Sequence, residues 1–473
     1  MKRRNFLQAG ALAALTGGII SPTLLTGCSN PTNTKRSSGQ AKNIIFLVSD
    51  GMSIGTPVMA DLLLFRKEGR GSRWMDLYRK NEARRAFMDT SSADSMVTDS
   101  AAGSSSWGGG KKVNNGSLNV NPDGSFNKPI LQKFKEAGKS VGCVTTVPIT
   151  HATPAGFCVN NKTRSRQDEI ASDYLNLKFD VMMGGGQEYF DGKKRADKKD
   201  IFSDFTADGF QVVRVKDDME KATPGKPVLG VFYEDGLPYS VDMQSEPELA
   251  AKIPTLAEMT RKAISLMEGN GEGFVLQVEG GKVDWAAHAN DASALIYDQI
   301  AFDEAVAVAI DFAKGRNDTL VVITTDHGNS NPGLIKSHGV DAKFDLMQGA
   351  KYSNEWVLHG IRKTDTPSHL IERLNFAQEI TVSKEEAKSI LLHYESLEND
   401  GLYNDYKLPY KELAIIQQNY TSIGWSGMDH SADYVELAMF GPGSEALPMF
   451  VKNSDLHNFM LEAAGIPESV WIV

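Results

Sequence analysis

The chain has 473 residues, of which 41% are hydrophobic and 23% charged, and its formal net charge is −10. This length admits about three domains of ~150 residues or one large α/β unit, and the composition excludes a disordered or fibrous chain. An acidic balance argues against nucleic acid as a binding partner.

The N-terminus reads Lys2-Arg3-Arg4-Asn5-Phe6-Leu7, then a mild Ala/Leu/Gly/Ile stretch from Ala9, then Leu25-Thr26-Gly27-Cys28. Twin arginines before a moderately apolar segment resemble a bacterial Tat leader, and Leu-Thr-Gly-Cys resembles a lipoprotein cleavage box with Cys28 acylated. A plain signal peptide or an uncleaved anchor is the alternative. Residues 1–28 are therefore expected to be a signal segment, 29–42 a polar linker and 43–473 the folded domain, in an exported protein that is periplasmic or membrane-anchored through Cys28. Gly10, Gly17 and Gly18 make the leader a poor spanning helix, and no later stretch reaches the ~20 apolar residues a span needs. Cys143 and Cys158 lie in apolar segments and are expected to be free buried thiols, because a core of this size needs no staple.

Asn43–Ser49 is a continuous apolar run ending in Asp50-Gly51, the pattern of a buried parallel strand followed by a turn. Similar runs are Ser140–Val147, Phe179–Met183 before three glycines, Phe274–Val278 before Glu279-Gly280-Gly281, Thr319–Thr325 before Asp326-His327-Gly328, and Val435–Phe440. Helical patterns over Ile130–Ala137, Thr255–Glu268 and Ser293–Ala313 alternate with them. The expected fold is α/β, a central, mostly parallel sheet with helices on both faces. Two stretches interrupt the alternation. Residues 187–250 have weak periodicity, and residues 331–428 mix helical patterns (Pro367–Leu374, Lys384–Leu397, Tyr410–Asn419) with polar loops, a cap or crown placed to overhang the ligand end of the sheet.

Val97-Thr98-Asp99-Ser100-Ala101-Ala102-Gly103 places a hydroxyl at a loop-to-helix junction. Unpaired N–H groups at a helix start favour an anion, so Ser100 is the candidate nucleophile; an ordinary helix cap is the bland alternative. No histidine lies near it in sequence, which points to activation by metal.

Ligands of open α/β sheets bind beyond the carboxyl ends of strands, and those ends carry Asp50, Glu279 and Asp326-His327, with His151-Ala152-Thr153 just after another. Asp284 and His288 are four apart, on one helical face, and His430 precedes the last strand. Asp326 and His327 would point apart on a regular strand, so a turn is needed to bring both to one ion. Imidazole with carboxylate, as in Asp284/His288/His430 and Asp50/Asp326/His327, suits zinc with positions left open. The all-oxygen set Asp50/Thr153/Glu279 suits magnesium. Paired ions about 3.5–4 Å apart would clamp both oxygens of an in-line displacement. His338, His359, His393 and His457 read as surface groups. Tyr403, Tyr406, Tyr410 and Trp425 are placed to meet leaving groups or, for most of them, to pack a core.

Val97-Thr98-Asp99-Ser100-Ala101-Ala102, His151-Ala152-Thr153-Pro154-Ala155-Gly156, Asp180-Val181-Met182-Met183-Gly184-Gly185-Gly186, Val278-Glu279-Gly280-Gly281-Lys282-Val283-Asp284 and Thr325-Asp326-His327-Gly328 resemble, in order and spacing, the signature segments of the alkaline phosphatase family. The likeness runs from about Asn43 to Phe440. It implies hydrolysis of small-molecule phosphate monoesters through a phosphoserine at Ser100. It also implies one zinc on Asp284, His288 and His430, a second on Asp50, Asp326 and His327 with the Ser100 oxygen, and a magnesium-type site on Asp50, Thr153 and Glu279. Arg164 falls at the family's phosphate-clamping position, with Lys162 and Arg166 as neighbouring alternatives. His151 and Trp285 stand where the best-known bacterial pattern has aspartate and lysine. This leaves magnesium, zinc or cobalt open at the third site, with His151 and Trp285 behind the ligands rather than among them. The competing readings are a phosphodiesterase or sulfatase on the same scaffold and a non-catalytic phosphate- or metal-binding lipoprotein. Family members are commonly dimers, and nothing in the sequence decides between homodimer and monomer.

Overall fold

A computed structural model describes residues 41–395, 397 and 407–467. Cys28, the leader, residues 29–40 of the linker, Tyr403 and Tyr406 lie outside the described residues.

In chain order the strands are β1 (Asn43–Ser49), β2 (Arg84–Asp89), β3 (Ser140–Pro148), β4 (Val181–Gly185), β5 (Gln211–Val213), β6 (Val228–Val231), β7 (Phe274–Gly280), β8 (Thr319–Thr324), β9 (Gly328–Asn329), β10 (Gly333–Leu334), β11 (Ile423–Gly424), β12 (His430–Ser431), β13 (Val435–Phe440) and β14 (Phe450–Lys452). Ten of them form one sheet in the order β14-β2-β13-β8-β1-β7-β3-β4-β6-β5. It is mostly parallel, with β13 antiparallel to both its neighbours. This is the α/β architecture expected from the alternation of apolar runs and helical patterns.

The central strands carry side chains of alternating direction into two separate cores. Ile45 and Leu47 of β1 join one cluster with Leu276, Val278, Val321 and Ile323. Ile44, Phe46 and Val48 join the other with Val275, Leu320 and Val322. Every residue of β1, β7 and β8 is buried, as two-sided helical cover demands. The first face is covered by Leu256–Met267, whose start is locked by a Thr255/Glu258 capping box, and by the long helix Ala292–Ala313.

The weakly periodic stretch 187–250 is not outside the sheet, because β6 and β5 extend it beyond β4. Strands of four and three residues are too short for a period-two pattern to stand out. The edge strand β14 and its neighbour β2 also went unread, and β4 begins two residues later than its apolar run. In β2 the exposed Arg84 and Arg85 precede the buried Ala86, and an exposed Phe87 separates it from the buried Met88. The 331–428 stretch builds its own core from Val357, Leu370, Leu374, Ile390, Tyr394 and Leu413, with Tyr410 packed into it and Trp425 against the main core.

His457 corrects the surface reading of the tail histidines. It is 2% exposed, its Nδ1 meets the Trp107 carbonyl at 2.8 Å, and its Nε2 lies 3.0 Å from Lys133 Nζ. Cys143 and Cys158 are free and buried, as expected, with their sulfurs 3.5 Å apart. Among the described residues no helix is long and apolar enough to cross a membrane.

Candidate active site

The carboxyl ends of β1, β7 and β8 lie side by side in the parallel pairings, so residues scattered over the chain arrive at one place. Asp50 follows β1 and is fully buried. Gly51 then turns the chain at φ +65°, a conformation cheap only for glycine. Its N–H donates to Asp326 Oδ1.

Asp326 and His327 follow β8 after the ladder has ended, in the turn the sequence required. Thr325 Oγ1 donates to the His327 carbonyl and accepts from Met52 N–H. Both side chains thereby serve one site: His327 Nε2 lies 3.3 Å from Asp326 Oδ2 and 3.5 Å from Asp50 Oδ1.

The helix Lys282–His288 begins just beyond β7 and presents Asp284 and His288 on one face, with His288 Nε2 3.5 Å from Asp284 Oδ2. His430 comes from across the long insertion. The antiparallel pair β9–β12 sets His430 opposite Asn329, so the 331–428 segment leaves and returns at the site. His288 and His430 approach to 3.1 Å between Nε2 atoms, and the His430 and His327 rings stack at 3.7 Å.

Each of these three histidines has a backbone carbonyl at Nδ1: Met428 for His288, Thr98 for His430 and Gly328 for His327. An Nδ1–H held in this way leaves the Nε2 lone pair free for a cation, the usual outer support of a metal-bound imidazole.

Ser100 begins the helix Ser100–Gly109, capped by Asp99, whose carboxylate accepts from Ala102 N–H. The cap reading of this stretch is therefore correct, and it does not compete with the functional one. The Ser100 hydroxyl is 1% exposed and lies 3.2 Å from His327 Nε2. Thr153, in the first turn of Ala152–Cys158, donates to Asp50 Oδ2 at 3.3 Å, and Glu279 accepts from Thr145 Oγ1.

Among the described residues three groups of candidate ligands result, each with its donor atoms within 4.8 Å of one another: Asp284/His327/His430, Asp50/Asp326/His327 and Asp50/His151/Glu279. His327 thus lies between two sets that the sequence kept apart. His151, expected behind the ligands, has a ring nitrogen within 4.8 Å of carboxylate oxygens of Asp50 and Glu279.

Electrostatics show why a cation belongs here. Burial, then Asp326, Asp284 and Glu279 nearby, push the Asp50 carboxyl well above its ordinary range, and burial raises Glu279 to about 7. Burial would also raise Asp284, but His288, His327 and His430 outweigh it and hold that carboxyl low. Burial lowers His430 to about 4 and, with Arg164, lowers His151 to about 3. Asp50 Oδ1, Asp326 Oδ2, Glu279 Oε1 and His151 Nδ1 are buried without a hydrogen-bond partner. Buried polar atoms are otherwise almost always paired. Acid oxygens and neutral imidazoles left open in this way fit divalent cations.

Arg164 lies on the same side of the site. Its Nη1 meets Asp99 Oδ2 at 3.0 Å and its Nη2 meets His151 Nε2 at 3.0 Å. Arg166 pairs instead with Glu169 at the surface, and Lys162 is exposed. Sequence reasoning missed Asp99 as the partner of Arg164, although its place beside Ser100 was a signal. It also missed Asn329, whose Nδ2 holds Asp284 Oδ1 at 2.8 Å, and for which no sequence signal existed.

Fold and site together define a metal-dependent hydrolase of anionic esters. The family model for alkaline phosphatase matches residues 41–466. Alkaline phosphatase 4 of Bacillus subtilis is 28% identical, with 97% of this chain and 96% of that protein covered. The alkaline phosphatase of Escherichia coli K12 is 30% identical, with 71% and 80% covered. The crystal structure of Thermus thermophilus alkaline phosphatase superposes with a TM-score of 0.83 at 29% identity, covering 94% of this chain and 96% of that one. The chain belongs to the alkaline phosphatase family. It is a metal-dependent enzyme that hydrolyses phosphate monoesters.

Proposed function

We propose that phosphate monoesters are hydrolysed here through a phosphoserine on Ser100, with Arg164 holding the phosphate. The observation that carries this reading is the Ser100 hydroxyl 3.2 Å from His327 Nε2, beside the Asp50/Asp326/His327 group.

In this reading Asp50, Asp326 and His327 hold one zinc with the Ser100 oxygen, and Asp284, His288 and His430 hold the second. Asp50, Thr153 and Glu279 hold magnesium. His151, with a ring nitrogen near the Asp50 and Glu279 oxygens, adds an imidazole that keeps zinc or cobalt as alternatives at the third site. Bound ions supply charge neutralisation for the entering and leaving oxygens and lower the pKa of a bound hydroxyl or water.

The chain's own groups do the rest. Asp99 fixes the first turn of the Ser100 helix and holds one arm of Arg164. The serine is aimed by backbone rather than by a base. The Arg164 fork grips two phosphate oxygens side by side, and phosphoryl transfer needs little beyond such positioning and neutralisation. After the leaving group departs, water attacks the phosphoserine and frees inorganic phosphate.

The test is acid quenching during turnover of nitrophenyl phosphate, followed by peptide mass spectrometry. Ser100 is expected to carry the phosphoryl group, and Ser100→Ala should lose it along with a thousandfold or more of turnover, on the order seen for removed nucleophiles. Full turnover by the variant would overturn the assignment. A nitrophenyl diester and sulfate in the same assay measure preference against the diesterase and sulfatase alternatives.

The twin arginines and Leu25-Thr26-Gly27-Cys28 support Tat-type export and acylation of Cys28, giving a periplasmic or membrane-anchored lipoprotein. Radiolabelled palmitate should enter the wild type and not Cys28→Ala. Light scattering of the metal-loaded protein distinguishes homodimer from monomer.

A further inference from the structure

Lys282 opens the helix that carries Asp284 and His288, yet it is 4% exposed. Its backbone N–H donates to Thr146 Oγ1 at 3.0 Å, which fixes where the side chain starts. The ammonium then lies between two aromatic faces, 3.7 Å from the Tyr239 ring centroid and 4.4 Å from that of Trp285. A desolvated cation over a ring face is a strong, directional contact.

The six-membered ring of the indole is also confined, by Gly236. A Cβ on Gly236 would lie 2.8 Å from Trp285 Cζ3 and 3.0 Å from Cη2, so only glycine leaves room for the ring. Trp285 meets the His151 ring edge-on, with centroids 6.2 Å apart at 77°. His151 Nε2 in turn receives Arg164 Nη2 at 3.0 Å. Ammonium, indole, imidazole and guanidinium thus form one unbroken row of contacts, ending on the group that holds phosphate.

We propose that Lys282 is a positioning residue for the phosphate clamp: clasped by Tyr239 and Trp285, it fixes the indole wall that orients His151, and His151 sets the second arm of Arg164. The inference rests on Arg164 being the clamp. Losing the cation frees the indole, lets His151 tilt and leaves Arg164 held by Asp99 alone. The cost falls on phosphate affinity, because Ser100 and the Asp50/Asp326/His327 and Asp284/His327/His430 groups share no residue with the row; His151 alone belongs also to the third ligand group, which is why metal content is checked.

The test compares Lys282→Met, which keeps the length without the charge, with Lys282→Arg, which keeps the charge, in metal-loaded protein of verified metal content. Lys282→Met should raise KM for nitrophenyl phosphate and the calorimetric Kd of inorganic phosphate about three- to tenfold, a fraction of the free energy of a buried cation–ring contact because the effect reaches Arg164 through two further side chains, with kcat within about twofold. Lys282→Arg should restore both constants. Gly236→Ala, which pushes the ring, keeps the ammonium and meets Lys282 only at ordinary contact with Cδ, should shift KM and Kd the same way and serves if Lys282→Met does not fold. In an Arg164→Ala background the Lys282 change should have no further effect on Kd, since the two act through one arm. Unchanged Kd in Lys282→Met and Gly236→Ala, or full additivity with Arg164→Ala, overturns the positioning role while leaving the clamp intact. An Arg164→Ala protein with wild-type Kd instead overturns the clamp reading on which it rests.

Discussion

Gly51 and Asp284 touch: a Cβ built on Gly51 would lie 2.3 Å from Asp284 Oδ1, and Gly51 already stands at φ +65°. The turn after β1 is shaped as much by the approaching carboxylate as by the chain reversal. Gly51→Ala meets both obstacles. It should lower stability by about 1–3 kcal/mol for the strained backbone, displace Asp284, and reduce bound metal by about one equivalent. Elemental analysis beside thermal melting reads both. A variant with full metal and wild-type melting would show that the turn tolerates a side chain.

Chelation should destabilise the protein as well as silence it, and more so as pH rises. Glu279 is raised from 4.5 to about 7 and Asp50 is raised as well. Without cations the folded state therefore binds more protons than the unfolded state between about 4.5 and 7. The stability this confers is present in full below 4.5 and is lost as pH rises through 7. The metal-free protein should melt several degrees lower at pH 8 than at pH 6, while the loaded protein, with cations in place of those protons, shows a smaller change. Melting curves at both pH values, with and without chelator, check the sign.

His457 should set part of the acid limit. Burial and the neighbouring Lys133 lower it from 6.5 to about 4, so between those values the unfolded chain takes up a proton that the folded one refuses. Stability present above 6.5 is lost progressively down to 4, by about 3 kcal/mol. His457→Gln removes the titration. Its stability between pH 7 and 4 should fall less steeply than that of the wild type, which denaturant titrations at four or five pH values would measure.

Asp99 serves the helix and the clamp together. Asp99→Ala removes the cap of Ser100–Gly109, at about 1 kcal/mol, and the partner of Arg164 Nη1. Melting should drop by a few degrees, and phosphate affinity should change without loss of metal. Asp99→Ser, which can still cap, should recover the melting temperature and not the original affinity. Calorimetry with inorganic phosphate separates the two effects.

The architecture was legible wherever strands are buried on both faces. β1, β3, β7, β8 and β13 read directly as apolar runs, and the polar residues at their ends gave Asp50, Glu279 and Asp326-His327. The capped helix at Ser100 and the Asp284/His288 pair were equally plain, because both are short-range patterns. The edge strands were hidden. β5 and β14 have three residues each, and an exposed edge imposes little hydrophobic order.

The sequence by itself determined which residues could carry the chemistry and which family's order they follow, because the parallel sheet delivers strand ends to a single edge. Only the tertiary structure decided how those residues share their neighbours. It set His327 between two ligand groups, brought His151 within reach of Asp50 and Glu279, paired Arg164 with Asp99 and Arg166 with Glu169, and buried His457 beneath the Ser100 helix. These outcomes depend on distances between segments up to 350 positions apart. No local pattern encodes them, since the helices and the β9–β12 pair that fix them form only when the cores on both faces of the sheet close.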